Sequence, residues 1–253
     1  MIYLKEREGY HMLQNIDINK MNRLMEENKD AKQIISQLLE NYHTSVSMIA
    51  HEIRNPLTLI SSSLQIVEAQ HPEVKKFYNW RQIMEDVNFM CSLLNELSSF
   101  NNGSTLHHSV FSIERLLKNV AVSFAISLDA EDSEIEFKSR IAPCMGDFTG
   151  DKIKLEEVLL NLLRNAKDAV GNKGTIFLSA DRENDSVIIK CCDTGCGIPD
   201  DIIDTIFDPF VTYKENGTGL GLSTVKRIVE AHGGTVTVNS SESGTEFTVT
   251  LPV

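Results

Sequence analysis

The sequence predicts an α+β protein: an N-terminal antiparallel helical hairpin, followed by a domain in which helices pack on a sheet. Three observations lead there. Apolar residues recur every three or four positions from about Met21 to Val67 and again from Phe77 to Leu97. Beyond residue 104 the pattern changes, and helical periods mix with stretches of strict alternation. Between the two regimes lies "FNNGS", residues 100–104, with the composition of a linker.

In the first helix Met21, Leu24, Asn28, Ala31, Ile35, Leu38, Tyr42, Val46, Ile49 and Ile53 form one stripe. "EAQHPEVKK" interrupts it at Pro72. The second helix then sets Phe77, Trp80, Met84, Val87, Met90, Leu94 and Leu97 on one face. A lone hairpin cannot bury both stripes fully, so a four-helix bundle made by a homodimer is expected. After the linker, Ser112 can cap a helix with Ile113, Leu116, Leu117, Val120 and Phe124 inward. "SEIEFKSRI" alternates as a strand through Ile135, Phe137 and Ile141. "DKIKLEEVLLNLLRNAKDAVG" is a helix that buries Leu155, Val158, Leu159, Leu162 and Ala166 and stops at Gly171. "GTIFLSADRENDSVIIKCCD" and "GTVTVNSSESGTEFTVTLP" are two hairpins, the second turning at Ser243-Gly244. The expected division is a helical lead-in over 1–40, the hairpin over 41–104 and the mixed domain over 105–253.

Composition narrows the classes. The chain has 253 residues, 42% hydrophobic and 24% charged, as in ordinary soluble proteins. It has no run of about 18 apolar residues, so no membrane segment is expected, and "MIYLKEREGY" lacks the apolar core of a signal peptide. Five cysteines, an odd number, argue against a disulfide framework and for a cytoplasmic, reducing setting. A net charge of −12 argues against a nucleic-acid partner.

Chemistry concentrates in a few stretches. In "MIAHEIRNPL" His51 lies between the stripe residues Ile49 and Ile53, so it points away from the stripe toward solvent. A lone surface histidine means nothing. Here Glu52 can take the imidazole proton, Asn55 shares the face of His51, and Pro56 removes a backbone donor. "DTGCG" (Asp193, Gly195, Gly197) ends a strand, and "GTGLGL" (Gly217, Thr218, Gly219, Leu220, Gly221, Leu222) opens a helix whose inner face is Leu222, Val225 and Val229. Glycines at such a junction let backbone N–H groups approach an anion, although tight turns use the same residues. The pattern is neither a Walker loop nor a Rossmann fingerprint. Asn161 and Asn165 share one face of "NLLRNAKDA", either as polar residues capping a core or with Asn165 as a Mg²⁺ ligand. "FDPF", residues 207–210, is a packing corner or the anchor of a lid. Cys191, Cys192 and Cys196 lack zinc-ligand spacing and read as inert thiols.

In their order, HEIRNP, NLLRNAKDA, DTGCG, FDPF and GTGLGL resemble the H, N, G1, F and G2 boxes of bacterial sensor histidine kinases, over roughly residues 40–253. The resemblance implies a Bergerat-type ATP-binding sandwich after the dimeric bundle, with ATP and Mg²⁺ as cofactors. By position it implies His51 as phosphoacceptor, Glu52 as general base and Asn55 as the residue that orients water for dephosphorylating the partner. It implies Asn165 on Mg²⁺, Asn161 near the phosphates, and Asp193 on the adenine amino group with Thr245 in support. Gly195 and Gly197 then line the base pocket. Gly217, Thr218, Gly219, Leu220 and Gly221 form the phosphate-facing lid hinge. The lid between Phe210 and Gly217 is short, and Asp168 stands where many kinases carry a lysine. Both traits are similar to the nitrogen-regulation and sporulation kinases and leave Lys214 as the candidate phosphate-side cation.

The implied function is ATP-dependent autophosphorylation of His51 and transfer to an aspartate on a response regulator receiver domain, extending to dephosphorylation of that regulator. A separate sensor protein, or a sensor domain missing from this chain, would supply the signal. The alternatives are a Bergerat-fold ATPase and a non-catalytic dimeric scaffold. The ATPases of that fold carry a glutamate four residues before the metal asparagine, where this chain has Asn161, a poor base.

Overall fold

In a computed structural model the structure describes residues 23–25, 27–129, 133–214 and 217–253. Met21 of the expected stripe and the lead-in over 1–22 lie outside the described residues. The chain divides after Ile49 into two units. Helix α1 (Lys29–Gln70) begins in the first of them and carries Pro56 without a break. Thr58 Oγ1 donates to the Arg54 carbonyl (2.9 Å) within the turn that Pro56 deprives of a backbone donor. Among the described residues no helix is long and apolar enough to cross a membrane.

The second unit begins with the hairpin. A 3₁₀ turn at Pro72–Lys76 follows α1 and leads to α2 (Tyr78–Asn101). Its core is Ala50, Leu57, Val87 and Leu94, with Leu64, Cys91 and Leu97 beside them. The Arg54 guanidinium donates to the Leu94 carbonyl (3.1 Å) and fixes α1 against α2. The stripe read from the sequence is therefore displaced by one residue. Ala50 is 1% exposed, whereas Ile49 and Ile53 remain 56% and 49% exposed. A helix with 3.6 residues per turn offers adjacent stripes, and the hairpin contact buries only one of them. Phe77, which precedes α2, and Met90 on it are likewise exposed. The helix runs through Phe100 and Asn101 into the expected linker, because Arg227 lies over the Phe100 ring (4.9 Å) and Asn101 is buried.

The rest is a five-stranded sheet covered on one face by three helices. Strand β1 (Ser109–Ser112) pairs antiparallel with β3 (Asp147–Gly150) in a small separate sheet. Neither strand is legible as an alternation in the sequence, since four residues are too few to show a period. Helix α3 (Ile113–Asp129) starts on Ser112, whose Oγ accepts from the Arg115 N–H (3.3 Å). Strand β2 (Glu134–Ile141) lies parallel to β4 (Lys173–Glu183). Helix α4 (Lys152–Val170) comes between β3 and β4. Strands β5 (Ser186–Asp193), β6 (Thr235–Ser241) and β7 (Gly244–Pro252) complete the sheet in the order β2-β4-β5-β7-β6. Helix α5 (Gly221–Ala231) precedes β6 and buries Val225, Ile228 and Val229, with Leu222 only partly covered. The β6–β7 register pairs Ser241 with Gly244, so the turn is Glu242-Ser243, one residue earlier than the sequence suggests.

Alternation places the site. On β5 the inward residues are Val187, Ile189, Cys191 and Asp193; on β7 they are Leu251, Val249, Phe247 and Thr245. Both rows are apolar until they end together in the directly paired Asp193 and Thr245. The other fixed point is Asp151, the buried N-cap of α4. Its Oδ1 accepts from the Ile153 and Lys154 N–H groups (both 3.1 Å), and its Oδ2 accepts from the His107 N–H (2.8 Å). Its own N–H donates to His232 Nε2 (2.9 Å), while Nδ1–H of that ring donates to the Ile228 carbonyl (2.8 Å). One residue thus joins the strand-leading linker, α4 and the end of α5. Burial and the neighbouring His108 hold the His232 ring neutral, with its pKa below the usual histidine range.

Burial raises the Asp151 pKa, but the three backbone donors outweigh it and hold the carboxyl below the usual range. A depressed folded pKa stabilises the fold above the unfolded value and loses that contribution as pH falls through the folded one. Asp151→Ala is therefore expected to lower the unfolding free energy at neutral pH by about 1–2 kcal/mol, as for a lost N-cap. Denaturant melts at stepped pH should show the gap between variant and wild type narrowing below about pH 4.

Candidate functional site

A cavity of about 990 Å³ opens where the inward rows of β5 and β7 end, bounded by α4, the loop after β5 and the segment leading into α5. Asp193, Gly197 and Thr245 line it at one end; Asn161, Asn165, Lys214, Gly217, Thr218, Gly219 and Gly221 line it elsewhere. Gly195 and Leu220 do not. An added Cβ on Gly195 would come within 2.5 Å of the Ala169 backbone, so this glycine permits close packing of the loop on α4. Leu220 is wholly buried beneath α5's first turn.

Asp193 is buried, and its Oδ1 accepts from the Gly195 N–H (2.8 Å). The Thr245 N–H also donates to the carboxylate, whereas the Thr245 hydroxyl pairs with Ser240 Oγ (2.9 Å). Burial raises the Asp193 pKa, opposed by the two backbone donors. The result is a fixed acceptor at an otherwise apolar end of the cavity, with Ile198, Ile206 and Phe247 as walls. Ser240 also accepts from the Ile198 N–H (2.8 Å) and so holds the loop after "DTGCG" against β6.

Two glycines shape the walls. Gly197 has φ +70°, and a Cβ there would stand 1.9 Å from the Ser241 carbonyl oxygen. Gly219 has φ +72°, and a Cβ there would stand 2.5 Å from the Phe210 backbone. Their conformation and spacing exclude a side chain. The Gly219 carbonyl accepts from the Phe210 N–H (2.9 Å), which pins the two ends of the intervening loop together. Within "FDPF", Phe207 packs edge-on against Phe247 with centroids 6.3 Å apart. Residues 215 and 216, the middle of that loop, lie outside the described residues.

At the polar end Lys214 Nζ donates to Asn165 Oδ1 (2.8 Å) and to Asp168 Oδ2 (2.6 Å). The Asn165 oxygen thus already faces a cation, which fits a metal ligand. Among the described residues no group of three or more His, Cys, Asp or Glu could hold a metal ion. Asn165 fits Mg²⁺ only where phosphate oxygens and water supply the other positions. The cysteines lack the low pKa of reactive thiols: burial pushes Cys191 up, and burial with the adjacent Glu246 carboxylate pushes Cys192 up to about 11.

His51, Glu52 and Asn55 do not line the cavity; all three are exposed on α1. His51 and Asn55 stand one turn apart, about 6 Å along the axis. Sequence reasoning missed Ser240, the apolar walls and Glu96, an α2 residue that lines the cavity. The alternation of β6 could have pointed to Ser240; nothing local marks Glu96.

Residues 150–253 match the family described as histidine kinase-, DNA gyrase B-, and HSP90-like ATPase. Over 207 residues the chain is 34% identical to the sensor histidine kinase ZraS of Escherichia coli (strain K12), covering 81% of this chain and 44% of that protein. Over 222 residues it is 31% identical to the sensory histidine kinase/phosphatase NtrB of Rhizobium meliloti (strain 1021), covering 81% of this chain and 57% of that one. Full-length ShkA, crystallised in complex with AMPPNP, matches with a TM-score of 0.69 and 25% identity over 83% of this chain and 45% of its own. The chain spans about half the length of the curated relatives it matches.

The glycine geometry separates two substitutions. Gly197→Ala is expected to cost more than about 2 kcal/mol, because strain at positive φ adds to a backbone clash. Gly221→Ala should stay within roughly 0.5 kcal/mol of wild type, since its Cβ would meet nothing nearer than Asn161 Oδ1 at 3.9 Å. Urea unfolding of the two variants checks the contrast.

Proposed function

We propose that this chain, which has the catalytic core of a two-component sensor histidine kinase, transfers the γ-phosphoryl group of ATP to His51 and then to an aspartate of a response regulator receiver domain. One observation carries the reading: a single cavity joins a buried, doubly supported carboxylate to a glycine-rich helix start and an amide oxygen that faces a cation. The first suits the amino edge of adenine, the second phosphate oxygens, the third a Mg²⁺–phosphate unit. Residues 41–104 serve as the dimerisation and phosphotransfer domain and 105–253 as the ATP-binding domain.

The chain's own residues divide the work. Asp193 accepts from the adenine amino group, with Gly195 and Thr245 holding it in place. Gly197 lets the base lie against the loop. The backbone of Gly217, Thr218, Gly219, Leu220 and Gly221 faces the phosphates, with Asn161 and Lys214 beside them. Asn165 holds Mg²⁺, which when bound neutralises charge on the phosphates. On α1, Glu52 accepts the imidazole proton as the ring nitrogen of His51 bonds to phosphorus and ADP leaves. Asn55, a neutral amide too weakly basic for that step, orients a water toward the regulator's phosphoaspartate. A homodimer covers the exposed Ile53, Ile60, Ile83 and Met90 of the hairpin.

Incubation with γ-labelled ATP and Mg²⁺ is expected to give an acid-labile, base-stable label that His51→Gln abolishes, while nucleotide binding stays within about twofold. Base-stable label persisting on the variant would place the acceptor elsewhere.

Asp193→Asn separates binding from stability. Because the folded pKa is raised, the ionised carboxylate is a burden on the fold at neutral pH, and its stabilising effect belongs to the protonated form at low pH. The asparagine carbonyl can still accept from Gly195 and Thr245. The melting temperature should hold or rise, while affinity for the adenine nucleotide falls roughly ten- to hundredfold, the scale of a hydrogen bond to a charged group. Calorimetry and thermal melts of the same preparation read both effects.

A further inference from the structure

The last two turns of α2 touch the nucleotide domain at several points. The Thr218 hydroxyl donates to the Glu96 carboxylate, and the Ser99 hydroxyl donates to Glu157. Arg227 lies over the Phe100 ring (4.9 Å) and reaches Ser104 Oγ (3.5 Å). Of these α2 residues, Glu96 alone lines the main cavity. It also lines a second cavity of about 390 Å³ between α2, α4 and α5, together with Arg164 and Asn161.

Thr218 is a revealing partner. Its Oγ1 accepts from the Leu220 N–H (3.2 Å) just before the first turn of α5, so its single hydroxyl proton points at Glu96. A helix start with unpaired N–H groups attracts anions. In this structure the anion beside it is a carboxylate of the hairpin. The hydroxyl has one proton to give, and a phosphate oxygen and the Glu96 carboxylate cannot both take it. Both are also negative, so a phosphate group near Thr218 repels Glu96 where it stands.

We propose that Glu96 is an internal competitor of the nucleotide's phosphates, and that nucleotide loading frees the end of α2 from the catalytic domain. Glu96 is a positioning residue in this scheme and takes no part in the chemistry. Arg54, on α1 in the turn after His51, donates to the Leu94 carbonyl, two residues before Glu96. Release at Glu96 therefore removes the contact between that helix pair and the glycine-rich segment and loosens the nucleotide domain, so that loaded nucleotide can be delivered to His51. The inference rests on reading the cavity as the ATP site.

The test uses the whole chain, with AMPPNP plus Mg²⁺ and with adenosine as titrants. Glu96→Gln keeps an acceptor for Thr218 but loses the charge. It is expected to bind AMPPNP roughly three- to tenfold more tightly, on the scale of one charge at a helix start, and adenosine as wild type does. Glu96→Ala should gain at least as much for AMPPNP. Amide exchange over residues 97–104 should speed up when AMPPNP binds wild type, and should already be fast in Glu96→Ala. Wild-type affinity in both variants, an equal gain for adenosine, or AMPPNP protecting residues 97–104 would each overturn the competition while leaving the ATP site standing. Wild type binding neither AMPPNP nor adenosine would sink the ATP reading and this inference together.

Discussion

The register between β5 and β7 is the constraint on which the site depends. It sets Asp193 opposite Thr245, at the point where two inward apolar rows end. Strand side chains alternate with a period of two, so a slip of one residue would bring Cys192 inward and turn Asp193 to the outer face. The register is held from both ends. Val187, Ile189, Val249 and Leu251 are essentially inaccessible to solvent. At the other end Gly244 lies so close to the Asp193 carbonyl that a Cβ would stand 1.9 Å from it. The apolar rows make burial of the carboxylate unavoidable, and the Gly195 and Thr245 N–H groups make it tolerable.

Asp151 does for the helices what that register does for the strands. It starts α4, which carries Asn161 and Asn165 to the cavity, and it meets His232 at the end of α5, which carries the glycine-rich loop at its start. The two ends of the cavity are therefore positioned by different devices: a strand register for Asp193 and a capped helix for the asparagines. Between them runs the segment from Phe207 to Leu220, anchored by Phe207 on Phe247 and by the Phe210–Gly219 hydrogen bond. Lys214 reaches from that segment back to Asn165 and Asp168, so the loop and α4 share a cation. As an exposed pair, Lys214 and Asp168 add little stability. Their weight is in placing a positive charge beside Asn165 at the polar end of the cavity.

Much of the fold could be read from the residues because it rests on local periodicity. The face of α4, the Ser112 cap, both hairpins and the alternation of β5 and β7 are all short-range patterns with one buried side. Legibility failed where the period was too short or a distant partner decided. β1 and β3 have four residues each and pair across 35 to 41 positions of sequence. The choice between two neighbouring stripes on α1 was made by Ala50 and Leu57 meeting Val87 and Leu94. The end of α2 was set by Arg227 from α5, a residue 127 positions beyond Phe100.

By itself the sequence determined the kinds of chemistry present: an exposed histidine beside an acid, two amides on one helix face, an aspartate closing a strand and glycines opening a helix. These are fixed by residue type and spacing, since helical and strand periods dictate which side chains share a face. Only the tertiary structure decided that the aspartate, the amides and the glycines line one cavity, and that Asp193 is steadied by the Thr245 backbone while the threonine hydroxyl turns to Ser240. Only it brought Glu96 from the hairpin to the hydroxyl of Thr218, across 122 positions of sequence. Such meetings depend on which buried faces pack together, and a side chain's pattern along its own helix says which way it points but not what will stand opposite.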